Sequence, residues 1–323
     1  MKSVLNGRKS DILYSEMKKF ITLKIVFLSI IVLLVLLFSS LGWVMNAFAM
    51  PFYDLQPQDI VFRAEFSTEY GKSSAERKHN IALAAKTLNN TLVDVNGEFS
   101  FNAAVGARTE KRGYKTAKII VKGEFVEGVG GGVCQVSTTL YNAAIRAGLE
   151  ITEAHGHSLA VSYVKPSCDA MVNSGNADLR FINSTHNPII IKTVADGATL
   201  TIRIYGEPMT GKYELISVIK REIPPEYTVS TDDVGEYPDL YVGERRVISY
   251  GKTGYESEGY LLKKRNGKTV SRVRIRRDRY LSVNGLIVEG TAIRADGNET
   301  TTDSATETTQ AFFNIRRRFS ICV

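Results

Sequence analysis

The sequence predicts an α+β domain joined to a small all-β module, with one membrane-crossing helix ahead of both. Three observations carry this reading. A long charge-free apolar run lies near the N-terminus, strand and helix periodicities mix through the central region, and the last third alternates with period two. At 323 residues, with 44% hydrophobic and 23% charged residues, the chain can bury a sizeable core, and bulk disorder is excluded.

The apolar run occupies residues 25–45, IVFLSIIVLLVLLFSSLGWVM. Its length matches the ~20 residues a helix needs to cross the hydrocarbon layer. Arg8, Lys9, Lys18, Lys19 and Lys24 precede it, and the next basic residue is Arg63. The positive-inside rule then puts residues 1–20 in the cytoplasm, a transmembrane helix at 21–45, a linker at 46–60 and everything later outside the membrane. Ala47, Phe48 and Ala49 have the small-x-small form of a cleavage site, so a signal peptide is the competing reading. Both readings export the remainder.

The central domain spans 61–210. Ile81, Leu83, Ala84, Ala85 and Leu88 predict a helix over 76–90, and Ile119 to Val121 predict a strand. The glycine-rich stretch 128–132 leads into a helix over 133–147, with Val133, Val136, Leu140, Ala143, Ala144 and Ala147 on one face and Gly148 as its stop. Strands are predicted at 159–164, 179–182, 189–194 and 200–205. The β module spans 211–293, where SRVRIR at 271–276 alternates strictly. Pro224, Pro225, Gly243, Asn266 and Asn284 break its strands. Residues 294–323 include TTDSATETTQ and read as a disordered polar tail.

The formal charge of +7 is moderate, and its densest cluster runs from Lys263 to Arg279. Arg272, Arg274 and Arg276 alternate onto one strand face, which suits either an anionic polymer or plain solvation. An exported module without a recognition motif makes nucleic acid a poor partner. The 3 cysteines, Cys134, Cys168 and Cys322, are too few for a disulfide-stapled scaffold.

Cys134 carries the chemical interest. It stands at the start of its predicted helix, where unpaired N–H groups and the helix dipole favour a thiolate. Those N–H groups, with Gln135 beside them, suit the oxyanion formed when a carbonyl is attacked. Gly130, Gly131 and Gly132 leave room for a substrate backbone. His155, His157 and Asp169 follow, supplying the imidazole and orienting carboxylate of an activated cysteine. Three bland or rival readings stand beside this one. Cys134 is an inert core thiol, or it is bridged to Cys168, or Cys134, His155, His157 and Asp169 hold zinc.

GEFSFN at 97–102, VG at 105–106, TEKRGY at 109–114, GVGGGVCQVSTTLYN at 128–142, HGHS at 155–158, VSYV at 161–164 and Asp169-Ala170 resemble the VanW family. The resemblance covers about 61–208. It departs at Ser174, where many members carry an aromatic, and at Cys168. It implies a peptidoglycan-modifying protein, because some VanW-domain proteins act as cysteine L,D-transpeptidases forming 3-3 cross-links. On that resemblance Cys134 is the nucleophile, His157 (or His155) the base and Asp169 its orienter. Arg108 and Arg112 become candidates for stem-peptide carboxylates. No cofactor and no metal are implied. The alternative is a non-catalytic wall-binding surface protein associated with glycopeptide resistance. The module resembles the G-five domain through its Ile-Pro-Pro at 223–225, GKTG at 251–254, NGKTVS at 266–271 and VEGT at 288–291. That second resemblance implies adhesion to wall glycans.

Overall fold

The computed structural model describes residues 60–121 and 123–294. The expected transmembrane helix at 21–45, nearly all of the linker and the polar tail lie outside the described residues. Among the described residues no helix is long and apolar enough to cross a membrane. The described chain is mostly β with a few helices, so strands outweigh what an α+β reading suggests.

A four-stranded antiparallel sheet organises the first part. It comprises β1 (Val61–Glu69), β2 (Thr91–Val93), β8 (Ile189–Ala195) and β9 (Thr199–Gly206), in the order β1-β9-β8-β2. Leu200, Ile202 and Ile204 alternate along β9 and are completely buried. Helices α1 (Ala75–Leu88) and α3 (Val133–Arg146) pack on this sheet, α1 mainly against β8 and α3 against β1 and β9. Ser74 caps α1 by accepting from the Arg77 N–H. Each fully buried Leu or Ile here contributes roughly 1.5–3 kcal/mol, which makes the helix–sheet contact the main stabilising layer.

A second, three-stranded sheet joins β3 (Glu98–Ser100), β6 (Glu150–Glu153) and β7 (Arg180–Ile182) in the order β3-β7-β6. Phe99 stacks on Phe181 across it, with ring centroids 4.7 Å apart. The short helix α2 (Phe101–Val105) follows β3 directly. β4 (Thr116–Val121) and β5 (Glu124–Val129) form a hairpin that delivers the chain into the glycine stretch before α3.

Between β6 and β7 the chain is irregular, and the strand expected at 159–164 does not form. Further along the loop, backbone groups of Cys168 and Ala170 find partners on α3. Ser137 Oγ donates to the Ala170 carbonyl at 2.6 Å, the Ala170 N–H donates to Thr138 Oγ1 at 2.9 Å, and Asn142 Nδ2 donates to the Cys168 carbonyl at 2.7 Å. Polar residues of α3 therefore fasten this loop, and α3 is buried on nearly every side.

The β module begins with β10 (Lys212–Ile223), which pairs with β13 (Gly254–Arg265), which pairs with β14 (Lys268–Tyr280). A second sheet contains β11 (Tyr227–Thr231), β12 (Arg245–Ser249) and β15 (Gly285–Glu289), with β11 and β15 parallel. The strict alternation expected along 271–276 fails at a bulge, because Tyr260 opposes Arg274 while Gly259 opposes Arg276. Arg274 and Arg277 consequently both reach Glu258, at 2.8 and 2.9 Å. Arg276 turns inward and keeps only 10% of its side chain exposed. The arginines at 272, 274 and 276 do not share one free cationic face.

Candidate functional site

Cys134, His157 and Asp169 converge where the first turn of α3 meets the loop between β6 and β7. Gly132, at φ 107°, precedes α3 in the left-handed region and provides no side-chain cap. The Cys134 N–H has no hydrogen-bond partner among the described residues. It is thus a free donor beside a half-buried thiol. The Cys134 Sγ–H contacts the Val172 carbonyl at 3.3 Å.

His157 is buried, and Asp169 holds it twice. Asp169 Oδ2 accepts from the His157 backbone N–H at 2.7 Å and pairs with His157 Nδ1 at 2.6 Å. That bond fixes the tautomer and leaves Nε2 for the thiol. Burial opposes a charged imidazole, yet the hydrogen bonds and charges of Asp169 and Cys134 raise His157 to about 9. Burial likewise opposes the Cys134 thiolate, and the hydrogen bond and charge of His157, with Arg108, bring the thiol below its ordinary value. Asp169 is held below the usual carboxylate range because His157, Arg276 and Tyr280 outweigh its desolvation. Both shifts act in the direction of a thiolate–imidazolium pair, with the imidazole oriented by a buried carboxylate.

His155 is placed differently. Its Nε2 pairs with Glu153 Oε1 at 2.8 Å on a partly exposed surface, two residues from the site. The four residues considered for zinc therefore do not form a ligand cluster, and no group of three or more His, Cys, Asp or Glu among the described residues could hold a metal. Cys134 and Cys168 are both free thiols, so the bridge considered from sequence is not formed. Burial pushes Cys168 up to about 11 against the pull of Arg276, which leaves Cys134 as the activated thiol of the two.

The residues expected to touch substrate divide. Gln135 does not face the thiol: its side chain is buried, donating to Thr68 Oγ1 and the Glu69 carbonyl and accepting from Arg77 at 2.9 Å. It ties α3 to β1 and α1. The glycines serve packing rather than substrate approach. A Cβ on Gly131 would lie 2.8 Å from the Ala117 and Lys118 carbonyl oxygens, and one on Gly132 would meet Arg77 and Ile81. A Cβ on Gly130 would meet Arg108 at 3.0 Å. Arg112 is committed to structure, donating to the Val105 and Ala107 carbonyls at 2.7 and 2.9 Å.

Arg108 remains close to the thiol, whose charge it feels, and it donates to Asn102 Oδ1 at 2.7 Å. Asn102 borders a polar cleft of about 410 Å³ that Ser174, Gly175, Asp178 and Arg180 also line. Tyr163, which the sequence flagged only as part of a motif, also faces the Cys134 and Asp169 charges, and burial keeps its phenol protonated. Tyr280 was missed altogether, and Arg276 was expected only on a strand face suited to an anionic polymer. Tyr280 Oη donates to Asp169 Oδ1 at 2.5 Å, and Arg276 Nη1 donates to the Asp169 carbonyl at 2.5 Å.

Comparison with known proteins agrees with the two-part organisation. The VanW like protein family matches residues 76–205, and the G5 domain family matches residues 216–292. YoaR of Bacillus subtilis (strain 168) is 45% identical over 160 residues, covering 50% of this chain and 51% of YoaR. The vancomycin B-type resistance protein VanW of Enterococcus faecalis (strain ATCC 700802 / V583) is 31% identical over 112 residues, covering 33% of this chain and 40% of that protein. The chain spans about half, or less, of the length of these curated relatives. The solved structures of HP0197-G5 and of the IgA1 protease G5 domain are 18% and 24% identical. Each covers 25% of this chain and almost all of the solved chain, with a TM-score of 0.16.

Proposed function

From the premise of a chain that carries a VanW domain followed by a G5 domain, we propose that it is a cell-wall cysteine acyltransferase of the L,D-transpeptidase type, forming 3-3 cross-links in peptidoglycan. The observation that carries this reading is the Cys134–His157–Asp169 arrangement at the free N–H end of α3. The proposal includes export, with residues 1–20 cytoplasmic, a membrane anchor at 21–45 and the rest outside.

In the proposed reaction the Cys134 thiolate attacks the carbonyl that joins diaminopimelate to the terminal D-Ala of a donor stem. The Cys134 N–H stabilises the oxyanion, and Arg108 holds a stem carboxylate. The carbon–nitrogen bond breaks as His157 gives its proton to the departing D-Ala amine. A thioester remains. The side-chain amine of a neighbouring stem then attacks it and gives a proton to His157, and the carbon–sulfur bond breaks to restore thiolate and imidazolium. If water resolves the thioester instead, the outcome is hydrolysis and no dimer forms.

Purified full chain in detergent, incubated with tetrapeptide-bearing muropeptides, is expected to yield 3-3 dimers and free D-Ala by mass spectrometry. Identical products from wild type and Cys134→Ala would sink the proposal. The G5 match favours a second reading, a non-catalytic wall-binding protein whose module adheres to glycans or anionic wall polymers. Similarity to the vancomycin B-type resistance protein of Enterococcus adds a link to glycopeptide resistance. That reading expects retention on sacculi by the wild type and Cys134→Ala alike, with no product from either.

A further inference from the structure

We infer that Tyr280 and Arg276 of the β module are positioning residues for the Cys134–His157–Asp169 site, so that the site is complete only with the β13–β14 hairpin docked against it. The inference deepens the acyltransferase reading and rests on it.

The contacts fall on the atoms that orient the acid. Asp169 Oδ2 is occupied by His157, and the other oxygen, Oδ1, accepts from the Tyr280 hydroxyl at 2.5 Å. The terminal torsion of an aspartate is soft, so a donor on Oδ1 is what keeps Oδ2 aimed at the imidazole. The same Tyr280 oxygen accepts from the Ser167 N–H at 2.7 Å. Ser167 stands at φ 63°, uncommon for a residue with a side chain, and its hydroxyl lies 2.7 Å from that of Ser257 on β13. Arg276 fixes the Asp169 backbone through its carbonyl, and its Nη2 lies 3.7 Å from Oδ1.

The histidine side of the loop is pinned too. The Leu281 N–H donates to the Ser158 carbonyl at 2.8 Å, and a Cβ on Gly156 would lie 2.7 Å from Asp278 Oδ1. A Cβ on Gly259 would lie 3.0 Å from the Ser167 carbonyl. The loop and the hairpin thus approach each other closely at a glycine on each side. Tyr280 and Arg276 lie outside the segment matched by the VanW like family, which ends at residue 205. The charged and titratable groups facing the thiolate–imidazolium pair are Asp169, Arg108, Tyr163 and, through Asp169, Arg276.

Packing alone would also conserve these contacts, so the test needs a readout that packing does not move. In full chain carrying Cys168→Ala and Cys322→Ser, the rate of Cys134 alkylation by iodoacetamide is measured against pH for wild type, Tyr280→Phe and Arg276→Lys. Arg245→Ala, a surface change elsewhere in the module, is the control. Tyr280→Phe keeps the buried ring and removes only the donor. It is expected to lower the rate on the acid limb of the profile about tenfold, the effect of a tenfold loss in thiolate population, while melting cooperatively. Arg276→Lys is expected to move the profile in the same direction, and it gives an independent reading if Tyr280→Phe does not fold. Arg245→Ala should overlay the wild type. A depressed wild-type profile that neither variant shifts would overturn the positioning role and leave the cysteine–histidine reading intact. An ordinary thiol profile in the wild type would overturn both.

Discussion

Asp169→Asn is the substitution from which most can be calculated. The carboxylate is fully buried and accepts the His157 N–H at 2.7 Å, pairs with His157 Nδ1 at 2.6 Å and accepts the Tyr280 hydroxyl at 2.5 Å. Asparagine has one acceptor oxygen and one NH₂ group. If its oxygen faces His157, the NH₂ faces a Tyr280 oxygen that already accepts from Ser167. If it flips, two His157 donors face an NH₂. In the better orientation two charge-assisted bonds become neutral ones, at about 1 kcal/mol each, and the Tyr280 bond loses about 1–2 kcal/mol more. The expected destabilisation at pH 7.5 is therefore about 3–4 kcal/mol in denaturant titrations. His157 also loses the Asp169 contribution that helps raise it to about 9, leaving only Cys134 to oppose burial, so its value falls and the neutral imidazole gains ground. With the imidazole neutral, Cys134 alkylation near neutral pH should fall by about tenfold or more. Stability within about 0.5 kcal/mol of wild type, with an unchanged alkylation rate, would refute the reasoning.

Three further outcomes follow from the same contacts. Gly131→Ala brings a Cβ to 2.8 Å from the Ala117 and Lys118 carbonyl oxygens, neither of which can swing aside. It should cost about 1–3 kcal/mol or more and lower the melting temperature without a new thiol profile if the chain folds. His155→Ala removes an imidazole paired with Glu153 on a partly exposed surface, so Cys134 alkylation should match wild type, whereas His157→Ala should slow it strongly. The pair also sets a pH signature. His157, raised to about 9, contributes stability fully present below 6.5 and lost as pH rises through 9. Cys134, depressed, contributes stability present above its unfolded value and lost as pH falls through its folded one. Where the two windows overlap the slopes oppose, and denaturant titrations should find a shallower fall in stability above pH 6.5 than His157 alone would give.

Much of the site was legible because its parts are carried by local patterns. Helix α3 announced itself by apolar spacing and the Gly148 stop, and the order of thiol, imidazole and carboxylate pointed to Cys134, His157 and Asp169. Gln135 was misread for a geometric reason. Adjacent helical residues project about 100° apart, so Cys134 and Gln135 cannot share a face, whereas Cys134, Thr138 and Asn142, four apart, can. That polar stripe was the available signal for the loop between β6 and β7. It went unread because the apolar face dominated the pattern. The strand expected at 159–164 does not form, and the loop backbone a few residues later, at Cys168 and Ala170, is held by α3 side chains. Arg276 and Tyr280 were out of reach. Alternation says which face of a strand a residue occupies, not which distant loop lies there, and the bulge between Arg274 and Arg276 reverses even that face.

The account stands most directly on the charge state of Cys134. The decisive measurement is the pH dependence of its alkylation in the full chain with Cys168 and Cys322 replaced. An activated pair predicts an acid inflection below the ordinary thiol value of ~8.5 and a second inflection near 9, where His157 loses its proton. A single inflection at the ordinary thiol value, unmoved by His157→Ala, would contradict it.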